Sequence, residues 1–274
     1  MAYRSGFYST MLEIYRFNLG LGFVRAIKGL GGFARYFEYP LALQALPTLS
    51  DKMVLDVGSS APLLPLFMAS KGADVTMVDI EAKAMRKVQQ LADRMSRRIK
   101  QPRTVVCDAR HLKYPDQTFD IITCISMIEH PPDNGDSNVM AEIGRVLKEG
   151  GTAFVDFPYG QTFSVNRLGT LRPWQEADGF DKIERRYDLP SIANRLVNPS
   201  GLQVVQQEYA LGGRLNHLTA GLNALGTRAG KLARLWSWFY VLLAYTLARF
   251  DNPTAGNAEF AYLVLRKPKQ NQRS

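Results

Sequence analysis

The chain has 274 residues, 46% of them hydrophobic, and a formal net charge of +9. That supplies an ample core for one α/β domain with additions and excludes a disordered or low-complexity chain. Two cysteines and three histidines, far apart in sequence, exclude a disulfide framework and any zinc-type ligand spacing, so no metal is expected.

The first 44 residues are apolar and aromatic, with Arg4, Arg16, Arg25, Lys28 and Arg35 interspersed. Glu13, Arg16 and Arg25 interrupt every early apolar run, so no signal peptide is expected and the predicted location is cytoplasmic. The pattern changes at Met53. An apolar run, Met53–Val57, carries Asp56 near its end, and a small-residue turn follows at Gly58, Ser59, Ser60 and Ala61. A helix-like apolar segment leads to a second apolar run ending in Asp79. Runs that are apolar on both faces suit parallel strands covered by helices. Asp79 lies 23 residues after Asp56, near the roughly 20-residue spacing of an acid that grips a ribose hydroxyl pair.

The unit then repeats. A helix-like stretch from Lys83 to Arg103 carries Lys83, Arg86, Lys87, Arg94, Arg97, Arg98, Lys100 and Arg103 against Asp93 alone. It reads as a solvated basic face or a phosphate-facing patch. A third strand at Arg103–Cys107 is closed by Asp108, and a fourth is predicted at Phe119–Ile125, with Glu129 and His130 just past its end. A helix over EIGRVLKE stops at Gly150–Gly151, and a fifth strand follows at Thr152–Phe157. Cys107 and Cys124 fall in these strands and read as reduced packing residues. In the loop after strand five, Tyr159 and Trp174 read either as pocket lining or as packing.

Further strands are expected at Gly201–Tyr209 and Ala258–Arg266, about 48 residues apart. Between them, residues 212–250 are expected to be a helical insertion. It carries Arg214, Arg228, Lys231, Arg234 and Arg249 without an acid and holds the apolar run 235–248. That run is too short for a membrane span, which needs roughly 20 residues. Leu235, Trp238, Phe239 and Leu242 share one helical face. The length fits a buried helix; the basic flanks and the aromatics Trp236, Trp238, Tyr240 and Tyr245 also fit a helix lying in an anionic membrane surface. The KPKQNQRS tail is expected to fray.

The ordered set LDVGSS, Asp79, CDA at 107–109, YPDQTFDII, IEH and RVLKEGG resembles the class I S-adenosylmethionine-dependent methyltransferases. It is most similar to the small-molecule group that includes the quinone-biosynthesis enzymes. The resemblance covers about Leu46 to Pro158. It implies a Rossmann-like, doubly wound seven-stranded sheet, mostly parallel with an antiparallel last strand. It further implies an N-terminal helical lid over residues 1–44 and a methyltransferase domain over 45–274. By resemblance, S-adenosylmethionine would be held by Asp56, Gly58, Ser60, Asp79, Ile80, Asp108, Ala109 and Ser126. Asp56 would lie near the methionine amino group, Asp79 would accept the ribose hydroxyls, and Asp108 would accept the adenine amino group, with Ala109 donating from its backbone. Each acid also has a plain structural role open to it: a strand-end cap at Asp56, a solvated loop acid at Asp79 and a helix N-cap at Asp108.

The turn departs from the family. Glycine is usual at three alternate positions, which here hold Gly58, Ser60 and Pro62. A pyrophosphate-binding fold needs that glycine nest, which argues against a nicotinamide dehydrogenase, and no Walker lysine follows. S-adenosylmethionine carries no phosphate, and Pro62 suits a first helical turn. Methyl transfer asks mainly for alignment, while an oxygen acceptor also needs its proton removed, for which histidine is suited. His130 is therefore the candidate base, with Glu129 positioning the cofactor, the acceptor or a cation. The expected function is methyl transfer to a small, hydrophobic or lipid-like acceptor, at oxygen. Two alternatives stay open: an RNA methyltransferase, suggested by the basic surface, and a non-catalytic cofactor-binding protein, suggested by Ser60 and Pro62. Against the first, no Asn/Asp-Pro-Pro-aromatic motif and no RNA-binding module are present, so nucleic acid is not the expected partner.

Overall fold

The computed structural model describes residues 6–21, 34–167, 183–210 and 254–269. The expected insertion at 212–250, its apolar run at 235–248, and Trp174 lie outside the described residues. Two compact units divide the chain, Met1–Ala45 with Glu208–Ala261 and Leu46–Gln207 with Tyr262–Ser274.

In the first unit, helices α1 (Phe7–Gly20) and α2 (Arg35–Ala45) bury Phe7, Met11, Ile14, Tyr36, Phe37 and Tyr39. The Phe7 and Phe37 rings lie 6.1 Å apart, within the range of a favourable aromatic pair.

The second unit is built on strands β1 (Met53–Val57), β2 (Asp74–Asp79), β3 (Arg103–Val106), β4 (Phe119–Ile125) and β5 (Leu147–Pro158). A small pair follows, β6 (Ser164–Arg167) and β7 (Ile183–Arg186); of β8 (Gln203–Ala210) and β9 (Phe260–Arg266), residues 203–207 and 262–266 belong to this unit. Among the described residues, a seven-stranded sheet runs in the order β3-β2-β1-β4-β5-β9-β8, parallel from β1 to β5 and antiparallel at β9. This is the doubly wound order that the resemblance implies. Strand order reverses beside β1, where open α/β sheets form their ligand crevice at the carboxyl ends of the strands. In register, Asp56 pairs with Met77 and Thr123, and Asp79 pairs with Val106. The acids therefore sit at corresponding strand ends because the strands are parallel.

Burial explains why these segments are strands. Val54, Leu55, Met77, Val78, Ile121, Ile122, Phe154 and Val155 are all essentially solvent-free. Consecutive residues can be buried in this way only when both sheet faces are covered. Helix α3 (Leu63–Ser70) is buried over all but its last residue. Helix α4 (Ala82–Arg94) buries Met85, Val88 and Ala92 while Lys83, Arg86, Lys87 and Arg94 stay exposed, the pattern of a helix on the outer layer.

Helix α5 (Gly135–Val146) ends earlier than the sequence pattern predicts. Leu147 is fully buried and pairs with Phe119, so the strand starts there instead of after the glycines. Gly150 and Gly151 lie inside β5, where Gly150 N–H donates to the Lys267 carbonyl and Lys267 N–H to the Gly151 carbonyl. They join the strand to β9 and do not stop the helix. The antiparallel β6–β7 pair was not expected. Nor was the helical segment after it, α-helical at Leu189–Ser191, π-helical at Ile192–Val197 and α-helical again at Asn198–Ser200. This segment packs closely on α5: a Cβ on Gly144 would lie 1.9 Å from the Ser200 carbonyl oxygen.

Candidate active site

Three acids converge at the carboxyl ends of the central strands. Asp56 is the last residue but one of β1, Asp156 lies near the end of β5, and Glu129 follows β4; their exposures are 6%, 2% and 3%. All three act on the fully buried Cys124 thiol, which burial and then these charges push well above its ordinary range.

The turn after β1 is built around Asp56. Its Oδ1 accepts from the Thr123 hydroxyl at 2.6 Å, and its Oδ2 lies 2.5 Å from the Ser59 hydroxyl. These bonds give Asp56 the strand-end capping role directly. Gly58 and Ser59 donate their backbone N–H groups to the Val78 carbonyl, drawing the turn onto β2. Gly58 has φ +82°, and a Cβ there would stand 2.4 Å from Met127 Cγ. Glycine is therefore required twice, for its dihedral and for the methionine packed over it.

Asp79 stands at the tip of β2, half-buried. Its Oδ2 accepts from Ser60 N–H at 3.0 Å and its Oδ1 from Glu81 N–H at 2.8 Å. A carboxylate offers about four acceptor sites, and these two bonds fix the orientation of Asp79. Ile80, next along, is 44% exposed and supplies apolar surface beside it. Ala109 is half-buried past the end of β3. Asp108 is held differently. Arg110 Nε lies 3.1 and 3.0 Å from its two oxygens, Arg110 Nη2 2.7 Å from Oδ2, and Arg110 N–H 2.9 Å from Oδ1. This fork keeps the Asp108 carboxyl below its ordinary range. The structure thus shows Asp108 as a loop cap paired with Arg110, a partner the sequence reading did not assign.

Past β4 the backbone turns sharply at Ser126, a non-glycine residue at φ +45°. The Asp156 carboxylate accepts from Ser126 N–H at 2.6 Å. A left-handed non-glycine residue costs about 1–3 kcal/mol and persists where its surroundings over-determine it; Asp156 is that determinant. Its signal in the sequence was an acid inside the apolar run TAFVDFP. Glu129 and His130 follow. His130 Nδ1 lies 2.9 Å from the Ile183 carbonyl oxygen, and its Nε2 lies 3.7 Å from Glu129 Oε1. A carbonyl only accepts, so Nδ1 carries the proton and donates. Nε2 is then the nitrogen that can take a proton, and the side chain is 46% exposed. Tyr159 is buried and paired with Tyr187 rather than presented to solvent. Among the described residues, no cluster of His, Cys, Asp and Glu side chains has the geometry to hold a metal ion.

The strand order and the turn after β1 resemble those of the class I S-adenosylmethionine-dependent methyltransferases, the quinone-biosynthesis enzymes among them. Residues 54–151 match the methyltransferase domain family. The chain is similar to the ubiquinone biosynthesis O-methyltransferase of Nitrosomonas europaea, 36% identical over 106 residues, which are 39% of this chain and 43% of that protein. The similarity therefore spans less than half of that curated relative. A solved S-adenosylmethionine-dependent methyltransferase from Methanosarcina mazei shares the fold at 18% identity and a TM-score of 0.55, over 85% of this chain and 99% of that one. The 1,6-didemethyltoxoflavin-N1-methyltransferase of Burkholderia thailandensis, solved with S-adenosylhomocysteine, does so at 14% identity and a TM-score of 0.51, over 80% and 72%.

The residues present fit S-adenosylmethionine, the cofactor of this class. Its sulfonium and ammonium are cations, and three buried acids, Asp56, Glu129 and Asp156, stand at or past the carboxyl ends of β1, β4 and β5. Its ribose presents two hydroxyls, and Asp79 is an oriented acceptor at the next strand tip.

Proposed function

We propose that this protein transfers a methyl group from S-adenosylmethionine to an oxygen of a small, hydrophobic or lipid-like acceptor. The observation that carries this reading is the state of His130. Its Nδ1–H is committed to the Ile183 carbonyl, which leaves Nε2 as the proton acceptor at the end of β4. An oxygen nucleophile needs such a group, whereas an already nucleophilic amine needs it less. The name of the curated relatives, ubiquinone biosynthesis O-methyltransferase, supports the same class of acceptor.

S-adenosylmethionine would supply an electrophilic methyl carbon activated by its sulfonium. Asp79 would hold the ribose, and the acids at the ends of β1 and past β4 would favour the cationic end. Asp156 and Ser126 set the course of the wall that brings His130 to the acceptor. His130 Nε2 would take the proton of the acceptor hydroxyl as that oxygen displaces the neutral thioether from the methyl carbon, and Glu129 Oε1, 3.7 Å from Nε2, would face the resulting N–H. Fixing the reactants in this way is worth several kcal/mol of the barrier.

No described helix is long and apolar enough to cross a membrane. The proposed contact with an anionic membrane surface rests on residues 235–248, outside the described residues.

The test pairs calorimetry with a transfer assay, using labelled S-adenosylmethionine and phenolic acceptors that carry apolar tails. Micromolar cofactor binding with label in an alkali-stable methyl ether supports the proposal. Label in transfer RNA alone would move the function to RNA, and binding with no transfer to any acceptor class would leave a cofactor-binding protein.

A further inference from the structure

The loop that carries Glu129 and His130 is held by a strand some fifty residues further along the chain, and the hold centres on one arginine. Arg185, in β7, is 2% exposed. Its backbone N–H donates to the Glu129 carbonyl at 3.1 Å, and its Nη1 reaches the same oxygen at 3.3 Å. The guanidinium also donates to the Pro131 carbonyl and, through Nη2 at 2.6 Å, to the Asp133 carbonyl. Three carbonyls of one irregular loop are gathered round a single planar group. Behind it stands Asp136, fully buried, 3.7 Å from Arg185 Nε. Asp136 also accepts from Arg195 at 2.8 and 2.7 Å and from the Tyr187 hydroxyl at 3.0 Å. Burial, with the Asp136 charge beside it, pushes the Tyr187 phenol up, so it stays a neutral donor.

A buried ion pair is a poor way to gain stability, since desolvation offsets its attraction. What it does well is fix one geometry. Loop carbonyls in a buried place must find donors, and only a rigid fork of several N–H groups serves three of them at once. Two residues before Arg185 in the same strand is Ile183, whose carbonyl receives the His130 Nδ1–H bond. The residue that fixes the loop to β7 thus also fixes the distance from His130 to the oxygen that sets its tautomer.

We propose that Arg185 is a positioning residue for methyl transfer. By clamping the Glu129–Asp133 loop onto β7 it holds His130 as the Nδ1–H tautomer and keeps Nε2 turned to the acceptor. The proposal rests on the reading of His130 as the base and assigns the small β6–β7 sheet the task of orienting it. Imidazole in water prefers the other tautomer, so the Ile183 bond has a measurable consequence.

The test is 15N NMR of the histidine side chains in the full chain, with the His130 signals assigned by their loss in His130→Ala. In the wild type, Nδ1 is expected to be protonated and Nε2 pyridine-like. In Arg185→Gln the signals should move toward the Nε2–H form. Its kcat should fall roughly tenfold to a hundredfold while KM for the cofactor changes little, because a misoriented base affects the proton step and not the binding of the donor. Arg185→Lys, which keeps the charge and loses the fork, should fall in between. A wild-type His130 found in the Nε2–H form overturns the proposal whether or not any variant folds. So does an Arg185→Gln protein that keeps both tautomer and kcat. Should His130→Ala retain full activity, the base reading fails, and the tautomer measurement still decides whether Arg185 orients the ring.

Discussion

The carboxylate of Asp79 accepts a hydrogen bond from the backbone N–H of Ser60 at 3.0 Å, so the acid at the tip of β2 fastens the turn that follows β1. This accounts for the unusual turn sequence. Where relatives rely on repeated glycine, this chain keeps one at Gly58, where φ is +82°, and closes the rest of the turn with side chains: Asp79 on Ser60, and Asp56 on Ser59. Pro62 is then the N-cap of the helix that follows, where no intrahelical N–H bond is lost.

Asp79 therefore has two tasks, and its removal should show both. In Asp79→Ala the affinity for S-adenosylmethionine should fall at least about tenfold, because a charged acceptor for the ribose hydroxyls is lost and the turn loosens. Asp79→Asn keeps one acceptor oxygen and should lose less. Isothermal calorimetry on both variants checks this, and an unchanged dissociation constant in Asp79→Ala would remove Asp79 from the site.

Gly58 offers a sharper steric test. A Cβ there would stand 2.4 and 2.6 Å from Met127 Cγ and Cβ, at a dihedral that side chains rarely adopt. Gly58→Ala should lower stability by about 1–3 kcal/mol and weaken cofactor binding. Met127→Ala placed in the Gly58→Ala background should restore only the part due to collision, since φ stays unfavourable. Denaturant unfolding of the two single variants and the double variant measures the split. Full recovery in the double variant would mean that backbone strain contributes nothing.

The acid side of the stability curve should depend on Glu142. Its carboxylate accepts from Arg145 Nε and Nη2, each at 2.8 Å, and from Leu112 N–H at 2.7 Å, while the same guanidinium donates to the carbonyls of Leu112 and Tyr114. The Arg145 bonds hold the Glu142 carboxyl below its ordinary range, against the opposing effect of burial. A carboxyl lowered on folding binds fewer protons in the folded state. Its contribution is then complete above the unfolded value of about 4.3 and is lost as pH falls through the folded one. Glu142→Gln should cost about 2 kcal/mol at pH 7 and show a flatter fall in stability below about pH 4.5. Unfolding midpoints at pH 7, 5, 4 and 3.5 test this. Parallel curves for the two proteins would show that Glu142 is not part of the acid transition.

The strand framework was legible because parallel strands covered on both faces need apolar runs, and the first three carry an acid at or near their ends. Asp56, Asp79 and Asp108 mark those ends in the chain as they do in space. Strand β4 coincides with its expected bounds for the same reason. The start of β5 was not legible, since Leu147 continues the helical apolar spacing and only its pairing with Phe119 makes it strand. The support of the site was hidden more deeply. IERR at 183–186 reads as a polar surface segment, and nothing local shows that Arg185 is buried among carbonyls from residues 129–133. Asp136 reads as a first-turn helix acid, although it faces two arginines and a tyrosine. Such contacts join distant segments through side chain and backbone, and they leave no periodicity behind.

The chemistry itself is tested at His130 and Glu129, which should separate. In His130→Ala turnover should fall by roughly 10²-fold or more if the acceptor is a weakly acidic oxygen, with cofactor affinity little changed. Glu129 is 3% exposed, and its Oε1 lies 3.7 Å from the Nε2 of His130. Glu129→Gln keeps the shape and removes one charge from the field facing the cofactor's cations. It should therefore weaken S-adenosylmethionine more than S-adenosylhomocysteine, whose sulfur is neutral, by several-fold in the ratio of their dissociation constants. The acids Asp56 and Asp156 remain in both comparisons, so the change in the ratio isolates Glu129. Equal weakening of the two ligands would mean that Glu129 acts on the packing of the loop and not on the charge of the methyl donor. Full turnover in His130→Ala would assign proton removal to solvent or to the acceptor's own ionisation.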